Sequence, residues 1–530
     1  MNAGDLLDRD ARLAVAPPIP TLTGLLAARA AEHPDREFLR FDDGSWTFGE
    51  VEDRTSRLAN RLIDVDGVAP GDRVAIMLPN VVQWPIAWLA IGKAGAVSVP
   101  VNSSYQRADL EFVLRDSGAR VILTDAEHRP LVDEVRDSAD DLSGVRVVDV
   151  DTLEHLPAAT APSVTVTGDT LANLQYTSGT TGFPKACMLT QDYWTRLGWV
   201  CAAAADLGPD DVVLTSQPFS YMDPQWNTAL CLTIGAPLVV LRRFSASGFM
   251  ADVRRHGATF CYVLGSMPTL LFKQPPDPAD RDNRLRLVLC SAIPVALHAE
   301  LERRWGTPWR EIFGMTESGV DLVSLSDSDV GSGRLGRPVP TKNVRIVDAD
   351  GTDVADGRSG ELITSGRPMM LGYWNRPDAT ADVLRDGWLH TGDVAQRDGD
   401  SLRLVGRLKD MVRRGGENIA SAEVERILER DDAVVAGAVV GVDDELFGEE
   451  VKAFIQLASG VDADRGTAEA IVARASTQLA RFKVPRYVEF VADFPRTPSE
   501  RIAKPALKAR AAERPGVTYD LRPSRRSERT

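Results

Sequence analysis

Nine consecutive residues concentrate the chemistry that binds phosphate. From Thr177 to Lys185 the chain reads Thr-Ser-Gly-Thr-Thr-Gly-Phe-Pro-Lys, with hydroxyls on Thr177, Ser178, Thr180 and Thr181, glycines at Gly179 and Gly182, and an ammonium on Lys185. Glycines let a loop adopt φ > 0 and bring its amides close to a ligand, while hydroxyls and a lysine add donors. Chemically, the stretch is a phosphate cradle. Its spacing is not that of the common nucleotide loop Gly-x-x-x-x-Gly-Lys-[Ser/Thr], because Pro184 stands five residues after Gly179. A plain turn between strands would account for any three of these residues, not for all nine in this order.

Two later stretches carry oxygen ligands. In Ile312-Phe313-Gly314-Met315-Thr316-Glu317 a hydroxyl and a carboxylate follow a glycine. That order suits a site where Thr316 binds phosphate oxygens and Glu317 holds Mg²⁺, an ion that takes one or two carboxylates plus phosphates. Taken alone, Thr-Glu reads more readily as a helix start. The octet Asp386-Gly387-Trp388-Leu389-His390-Thr391-Gly392-Asp393 ends in a carboxylate on a glycine turn, a group suited to accept both hydroxyls of a ribose.

The rest of the composition narrows the class. A chain of 530 residues is too long for one core, which implies two or more domains. A net charge of -15 argues against nucleic acid or an anionic membrane as the main partner, so an anionic ligand must be held by local cations. The first residues lack the apolar segment of a secretory signal, and no run approaches the ~20 apolar residues that span a bilayer. Cys187, Cys201, Cys231, Cys261 and Cys290 are widely spaced in apolar contexts, which disfavours a disulfide framework or zinc site and points to a reducing cytoplasm.

The elements that must position these groups are legible as alternating periods. Thr47 to Glu50 has capping-box spacing and predicts a helix start. Val74–Leu78, Ala96–Val101, Val121–Leu123 and Val145–Val150 read as short buried strands, with a helix-length apolar run from Trp84 to Ala94 between two of them. This alternation predicts layered α/β structure. Trp84 and Trp88, four apart, are expected to pack in the core. The segment from Gln217 to Trp226 looks unlike a plain helix or strand. Residues 421 to 429 are expected to form an acidic helix, with strands at Val434–Val442 and Val451–Leu457.

The phosphate stretch, the Phe-Gly-Met-Thr-Glu string, the octet ending in Asp393, Gly406-Arg407-Leu408-Lys409-Asp410 and Phe494-Pro495-Arg496-Thr497-Pro498-Ser499-Glu500-Arg501-Ile502-Ala503-Lys504 resemble, in order, the motifs of the adenylate-forming superfamily. That superfamily includes acyl-CoA and aryl-CoA ligases, luciferases and peptide-synthetase adenylation domains, and the resemblance runs from about residue 20 to 510. It implies a large N-terminal α/β domain over 1–407 and a small mobile α+β domain over 408–530, with a disordered tail from about Tyr519.

The resemblance also implies roles. Thr177, Ser178, Gly179, Thr180, Thr181, Gly182 and Lys185 would hold the β- and γ-phosphates of ATP. Ser291, Ala292, Ile293 and Pro294 would form the adenine shelf, completed by Phe313, Gly314, Met315 and Thr316. Glu317 would take Mg²⁺, while Asp393 and Arg407 would hold the ribose. Tyr221, Met222, Asp223 and Gly265 would line the acyl pocket; Asp223 either meets a substrate amine or caps a turn after Tyr221. Lys409 would be the pivot of the small domain, and Gly415, Gly416 and Glu417 the loop that guides CoA.

The implied activity is ATP-dependent conversion of a small-molecule carboxylate to an acyl-adenylate, then transfer to CoA. The sequence departs from the family at four positions: Ala186 follows the Pro-Lys pair instead of Gly, Tyr221 stands where many CoA ligases carry His, and in the last motif Glu500 replaces Gly and Arg501 replaces the lysine. Arginine keeps the charge but not the geometry, so Arg501 or Lys504 is the expected adenylation cation. These departures leave other acceptors open: a carrier-protein thiol, an amine, or nitrite in ATP-dependent diazotisation. They also leave open a nucleotide-binding homologue without catalysis. A homodimer is compatible with this reading.

Overall fold

The capping box at Thr47 forms as its spacing requires. The Thr47 hydroxyl accepts from the Glu50 amide at 3.2 Å and the Thr47 amide donates to the Glu50 carboxylate at 2.8 Å, opening the helix Phe48–Asp64. That helix buries Phe48, Val51, Leu58 and Leu62 on one face. The computed structural model describes residues 17–151, 156–157, 160–177, 184–414, 417–444, 446–496, 502–513 and 517–521, without the side chains of 409, 417 and 418.

These residues form two compact units. The first comprises the described residues up to Thr177, Pro184 to Val344, and Thr364 to His390; the second comprises Arg345–Ile363 and the described residues from Thr391 on. The expected division after Arg407 falls inside this second unit, where residues 393–398 are strand-paired with Ser401–Arg407.

In the first unit, six strands lie side by side in the order Arg146–Asp149, Val121–Thr124, Arg73–Met77, Val97–Pro100, Leu171–Thr177 and Lys185–Thr190. All but the last are parallel, and the apolar runs of the strands inside the edge strand Arg146–Asp149 are buried on both faces, as parallel sheets require. Lys185–Thr190 runs antiparallel to Leu171–Thr177, with Thr177 opposite Lys185. This register brings together the two ends of the expected phosphate stretch. A second sheet has nine strands, parallel from Glu37–Phe41 through Trp309–Met315 and antiparallel at its edges.

Tryptophans seal this unit. Trp84 stacks on Phe219 with centroids 4.7 Å apart, and the indole N–H groups of Trp88 and Trp194 both donate to the Asn173 side-chain oxygen, at 2.8 and 3.1 Å. Core packing is therefore the role of Trp84 and Trp88. The segment expected to avoid helix and strand instead starts the helix Met222–Ile234. Pro224 is tolerated there because the first-turn amides of a helix have no intrahelical acceptor.

In the second unit, Val434–Asp444 and Gly448–Leu457 form a long antiparallel hairpin. Alternation along it feeds two cores: Val439, Val451 and Ile455 pack with Val424 and Leu428 of the helix Ser421–Leu428, while Ala438, Val440 and Phe454 pack with Leu507 of the helix Lys504–Glu513. A disordered tail is expected from about Tyr519; residues 517–521 are described and 522–530 lie outside the described residues. Thr518–Asp520 pairs with Tyr487–Phe490, and Arg486 forks the Asp520 carboxylate at 3.3 and 3.1 Å, so Tyr519 is a strand residue. Among the described residues, no helix is long and apolar enough to cross a membrane. All five cysteines are buried free thiols.

Candidate active site

The strand Lys185–Thr190 has a second neighbour. Residues 371–374 run along it: Leu371 donates to the Met188 carbonyl, Met188 to the Gly372 carbonyl and Trp374 to the Ala186 carbonyl, each at 2.9 Å. Gly372, at φ +139, is required, because a Cβ there would lie 2.7 Å from the Thr380 side chain. Ala186 is an extended strand residue with its side chain in the core, a place that makes no demand for glycine.

This alignment delivers Tyr373 to two of the expected site residues. Its hydroxyl donates to Glu317 Oε1 at 2.7 Å, and its ring centroid lies 5.0 Å from Lys185 Nζ. Burial and the Glu317 charge push the Tyr373 hydroxyl far above its ordinary range, so it remains a donor. Lys185, Tyr373 and Glu317 are thus one assembly, built from three remote parts of the chain.

Glu317 sits on a hairpin turn rather than at a helix start. The strands Trp309–Met315 and Gly319–Val323 pair with Met315 opposite Gly319, and a Cβ on Gly314 would fall 1.8 Å from the Gly319 carbonyl, so that position admits only glycine. Tyr193 donates its hydroxyl to the Thr316 carbonyl at 2.9 Å, and the Met370 amide donates to the Glu317 carbonyl at 2.8 Å. Behind the turn, buried Asp321 accepts from Ser318 and from Thr364 (2.8 Å) and faces the Lys342 ammonium at 3.5 Å. Both backbone and side chains therefore fix where the Glu317 carboxylate stands.

Three neighbouring parallel strands end beside this turn, and crevices outside carboxyl ends are where open α/β sheets bind ligands. Phe260–Leu264 ends at Gly265, which faces open space, and Leu287–Ser291 ends at the segment Ser291 to Pro294. Ser291 donates to the Ile312 carbonyl at 2.8 Å and accepts from the Tyr262 hydroxyl at 2.9 Å. Ala292 has φ +71, and the Glu311 carboxylate accepts from the amides of Ala292 and Ile293 at 2.6 and 2.9 Å. Phe313, Met315 and Thr316 are half-buried along the same edge.

The residues expected to line the acyl pocket stand at the start of the helix Met222–Ile234. Thr316 Oγ1 lies 3.5 Å from Met222 Sδ, and Asn102 donates to the Tyr221 hydroxyl at 3.1 Å. Asp223 stands in the first helical turn, where Asn227 donates to its carbonyl at 2.6 Å. Beneath, fully buried Gln225 donates to the carbonyls of Phe219 (2.9 Å) and Tyr221 (3.1 Å) and accepts from Asn173 (2.7 Å), tying this segment to the strand Leu171–Thr177.

In the second unit, Asp393 and Arg407 are strand partners. Arg407 Nε lies 2.8 Å from Asp393 Oδ1, and the carboxylate is only 3% exposed. The Asp393 amide donates to Thr391 Oγ1 at 3.0 Å, and that hydroxyl donates to the Leu362 carbonyl at 2.6 Å. Lys409 belongs to the 3₁₀ turn Leu408–Asp410 directly after Arg407, and Glu417 pairs with Arg414 at the start of its strand. Lys504 is engaged: its ammonium lies 2.8 Å from Glu425 and 3.9 Å from Asp410. Ser178, Gly179, Thr180, Thr181, Gly182, Gly415, Gly416 and Arg501 lie outside the described residues.

Sequence reasoning did not single out Tyr373, Glu311, Asn102 or Gln225. Tyr373 stood inside a quoted Gly-Tyr-Trp string, but nothing in its spacing points to Glu317, 56 residues away.

Similarity to known proteins extends over nearly the whole chain. A family described as AMP-binding enzyme matches residues 26–374, and an AMP-binding enzyme C-terminal domain matches 423–501. A sulfoacetate–CoA ligase of Cupriavidus necator is 34% identical over 496 residues, covering 91% of this chain and 96% of its own. A feruloyl-CoA synthase of an Amycolatopsis species is 35% identical over 494 residues, covering 91% and 97%. The o-succinylbenzoate CoA synthetase of Bacillus subtilis, in complex with its acyl-adenylate intermediate, superposes with a TM-score of 0.82 at 27% identity over 91% of this chain and 97% of that one. The same enzyme in complex with ATP and a magnesium ion gives a TM-score of 0.81 at 28% identity, over 91% and 99%.

Proposed function

The chain belongs to the family of AMP-binding enzymes, and from that premise we infer that it is an ATP-dependent, AMP-forming ligase that joins a small-molecule carboxylate to the thiol of coenzyme A. The observation that carries the reading is the convergence of Lys185 and Glu317 on Tyr373. It joins a cation of the phosphate-binding stretch to a carboxylate beside a hydroxyl.

In this reading the stretch from Thr177 to Lys185 holds the β- and γ-phosphates, and the segment from Ser291 to Pro294 with Phe313 holds the adenine. Asp393 and Arg407 hold the ribose, with Arg407 aligning the carboxylate that accepts its hydroxyls. Glu317 and Thr316 offer hard oxygen donors, the kind Mg²⁺ takes, so Glu317 holds that ion when bound. Held there, the ion would supply Lewis-acid neutralisation of charge on the phosphates.

One oxygen of the substrate carboxylate attacks the α-phosphorus, the bond to the oxygen bridging the β-phosphate breaks, and pyrophosphate leaves. Arg501 meets the charge that develops on the transferring oxygens. Lys504 is the weaker candidate, because withdrawing its ammonium would leave Glu425 buried without its partner. The small domain then turns at Lys409, Gly415 to Glu417 guide CoA, and the thiol sulfur attacks the acyl carbon. The acyl–phosphate C–O bond breaks, AMP departs and the thiol proton passes to solvent. Tyr221, Met222, Asp223 and Gly265 line the acyl pocket. Five buried free thiols are consistent with a reducing compartment such as the cytoplasm.

Pyrophosphate exchange into ATP, measured over a panel of aliphatic and aryl carboxylates, tests the first step. Exchange should require a carboxylate, and Glu317→Ala should abolish it while circular dichroism shows an intact fold. Near-normal exchange in that variant would remove Glu317 from the metal role, and exchange with no carboxylate of either class would remove the activity.

A further inference from the structure

Ala292 is an L-residue held at φ +71. Outside glycine that region is strained and persists only where the surroundings over-determine it. Here the surroundings are specific. Ser291 is fixed by its bonds to Ile312 and Tyr262, and the next two amides, those of Ala292 and Ile293, point at one carboxylate on the adjacent strand.

That carboxylate belongs to Glu311, opposite Cys290 in the parallel pairing of Leu287–Ser291 with Trp309–Met315, and it is 9% exposed. Burial pushes its carboxyl up to about 7, and the opposing pull comes from the two amides. A buried carboxylate without a cation is costly, so its presence marks a need that a neutral side chain would not meet. Two convergent N–H donors are satisfied by two ionised oxygens; a primary amide offers one acceptor and sets a donor against the second N–H.

We propose that Glu311 is a positioning residue for the nucleotide: by clamping both amides it holds Ala292 in the left-handed turn and so sets the shelf from Ser291 to Pro294 at the height a flat base requires. The inference rests on the reading of that segment as the adenine shelf. It concerns binding of the nucleotide and not of the carboxylate, whose pocket residues lie on other elements.

The test uses the full chain at pH 8, where the carboxyl is ionised, with Glu311→Gln, Ala292→Gly and the double variant. Calorimetry gives the Kd for ATP and steady-state assays give KM for ATP and for the carboxylate. Glu311→Gln should weaken ATP binding about tenfold, the effect of losing one bond to a charged acceptor, and leave KM for the carboxylate within about twofold. In the Ala292→Gly background the same change should cost less than about threefold, because glycine adopts the turn without a clamp. Unchanged ATP affinity in Glu311→Gln, equal losses in both backgrounds, or a parallel rise in KM for both substrates would each overturn the proposal. If Glu311→Gln fails to fold, recovery of folding and ATP binding in the double variant supports the clamp, and failure there too overturns it. Absence of ATP binding by the unaltered chain would instead overturn the nucleotide reading itself.

Discussion

The hydroxyl of Tyr373 and its ring face answer to different partners, so they can be removed separately. Tyr373→Phe keeps a ring for Lys185 but releases Glu317 from its hydrogen bond. The expected result is a roughly tenfold rise in half-saturating Mg²⁺ with little change in melting temperature, since hydrogen bonds to charged groups contribute about 1.5–3 kcal/mol. Tyr373→Leu, which loses the ring face as well, should be worse. Equal activation curves for all three proteins would dissociate Tyr373 from the site. Glu311 supplies a second check at this scale. Its carboxyl is raised from the ordinary range to about 7, so between about pH 4.5 and 7 the folded chain binds more protons than the unfolded one. Stability from this group is therefore present below the unfolded value and lost as pH rises through the folded one. The urea midpoint of Glu311→Gln relative to the unaltered chain should improve steadily from pH 5 to pH 8. Parallel profiles would mean that Glu311 does not titrate in this window.

At the level of elements, the helix Lys504–Glu513 is fastened through its first turn: Leu507 is fully buried, and Lys504 meets Glu425 of the helix Ser421–Leu428. Leu507→Ala should destabilise the second unit by about 3 kcal/mol through the cavity it leaves. Lys504→Met should lower stability by about 2 kcal/mol, less than a wholly buried pair would lose, yet retain pyrophosphate exchange, whereas Arg501→Ala should lose exchange. The opposite pattern would return the adenylation role to Lys504. Elements were the most legible level of the sequence. Strands such as Arg73–Met77 and the helix opened by Thr47 follow from local period and capping, interactions that close within a few residues. The helix start at Met222 was misread because Asp223 and Pro224 look like turn residues, although both are at home in a first helical turn. The short strand containing Tyr519 was not legible because it is held by Arg486, a partner no local pattern reveals. The same limit applies to the site: Thr316, Glu317, Asp393 and Lys185 lie in dense motifs, while Tyr373 and Glu311 acquire their roles only through tertiary contacts.

For the whole molecule, a charge of -15 means that the proposed binding of an anionic nucleotide would depend on a few local cations, Lys185 among them. The proposed turn of the small domain separates the two half-reactions. Lys409→Pro would fix φ near -65° at the pivot and should spare pyrophosphate exchange while blocking thioester formation. Loss of both activities together would place the pivot elsewhere or show that both steps use one arrangement. The most direct measurement is the product balance of one complete reaction with ATP, Mg²⁺, CoA and a carboxylate that supports exchange. An AMP-forming CoA ligase yields AMP, pyrophosphate and acyl-CoA thioester in equal amounts; ADP with inorganic phosphate, or AMP without thioester, would contradict that activity.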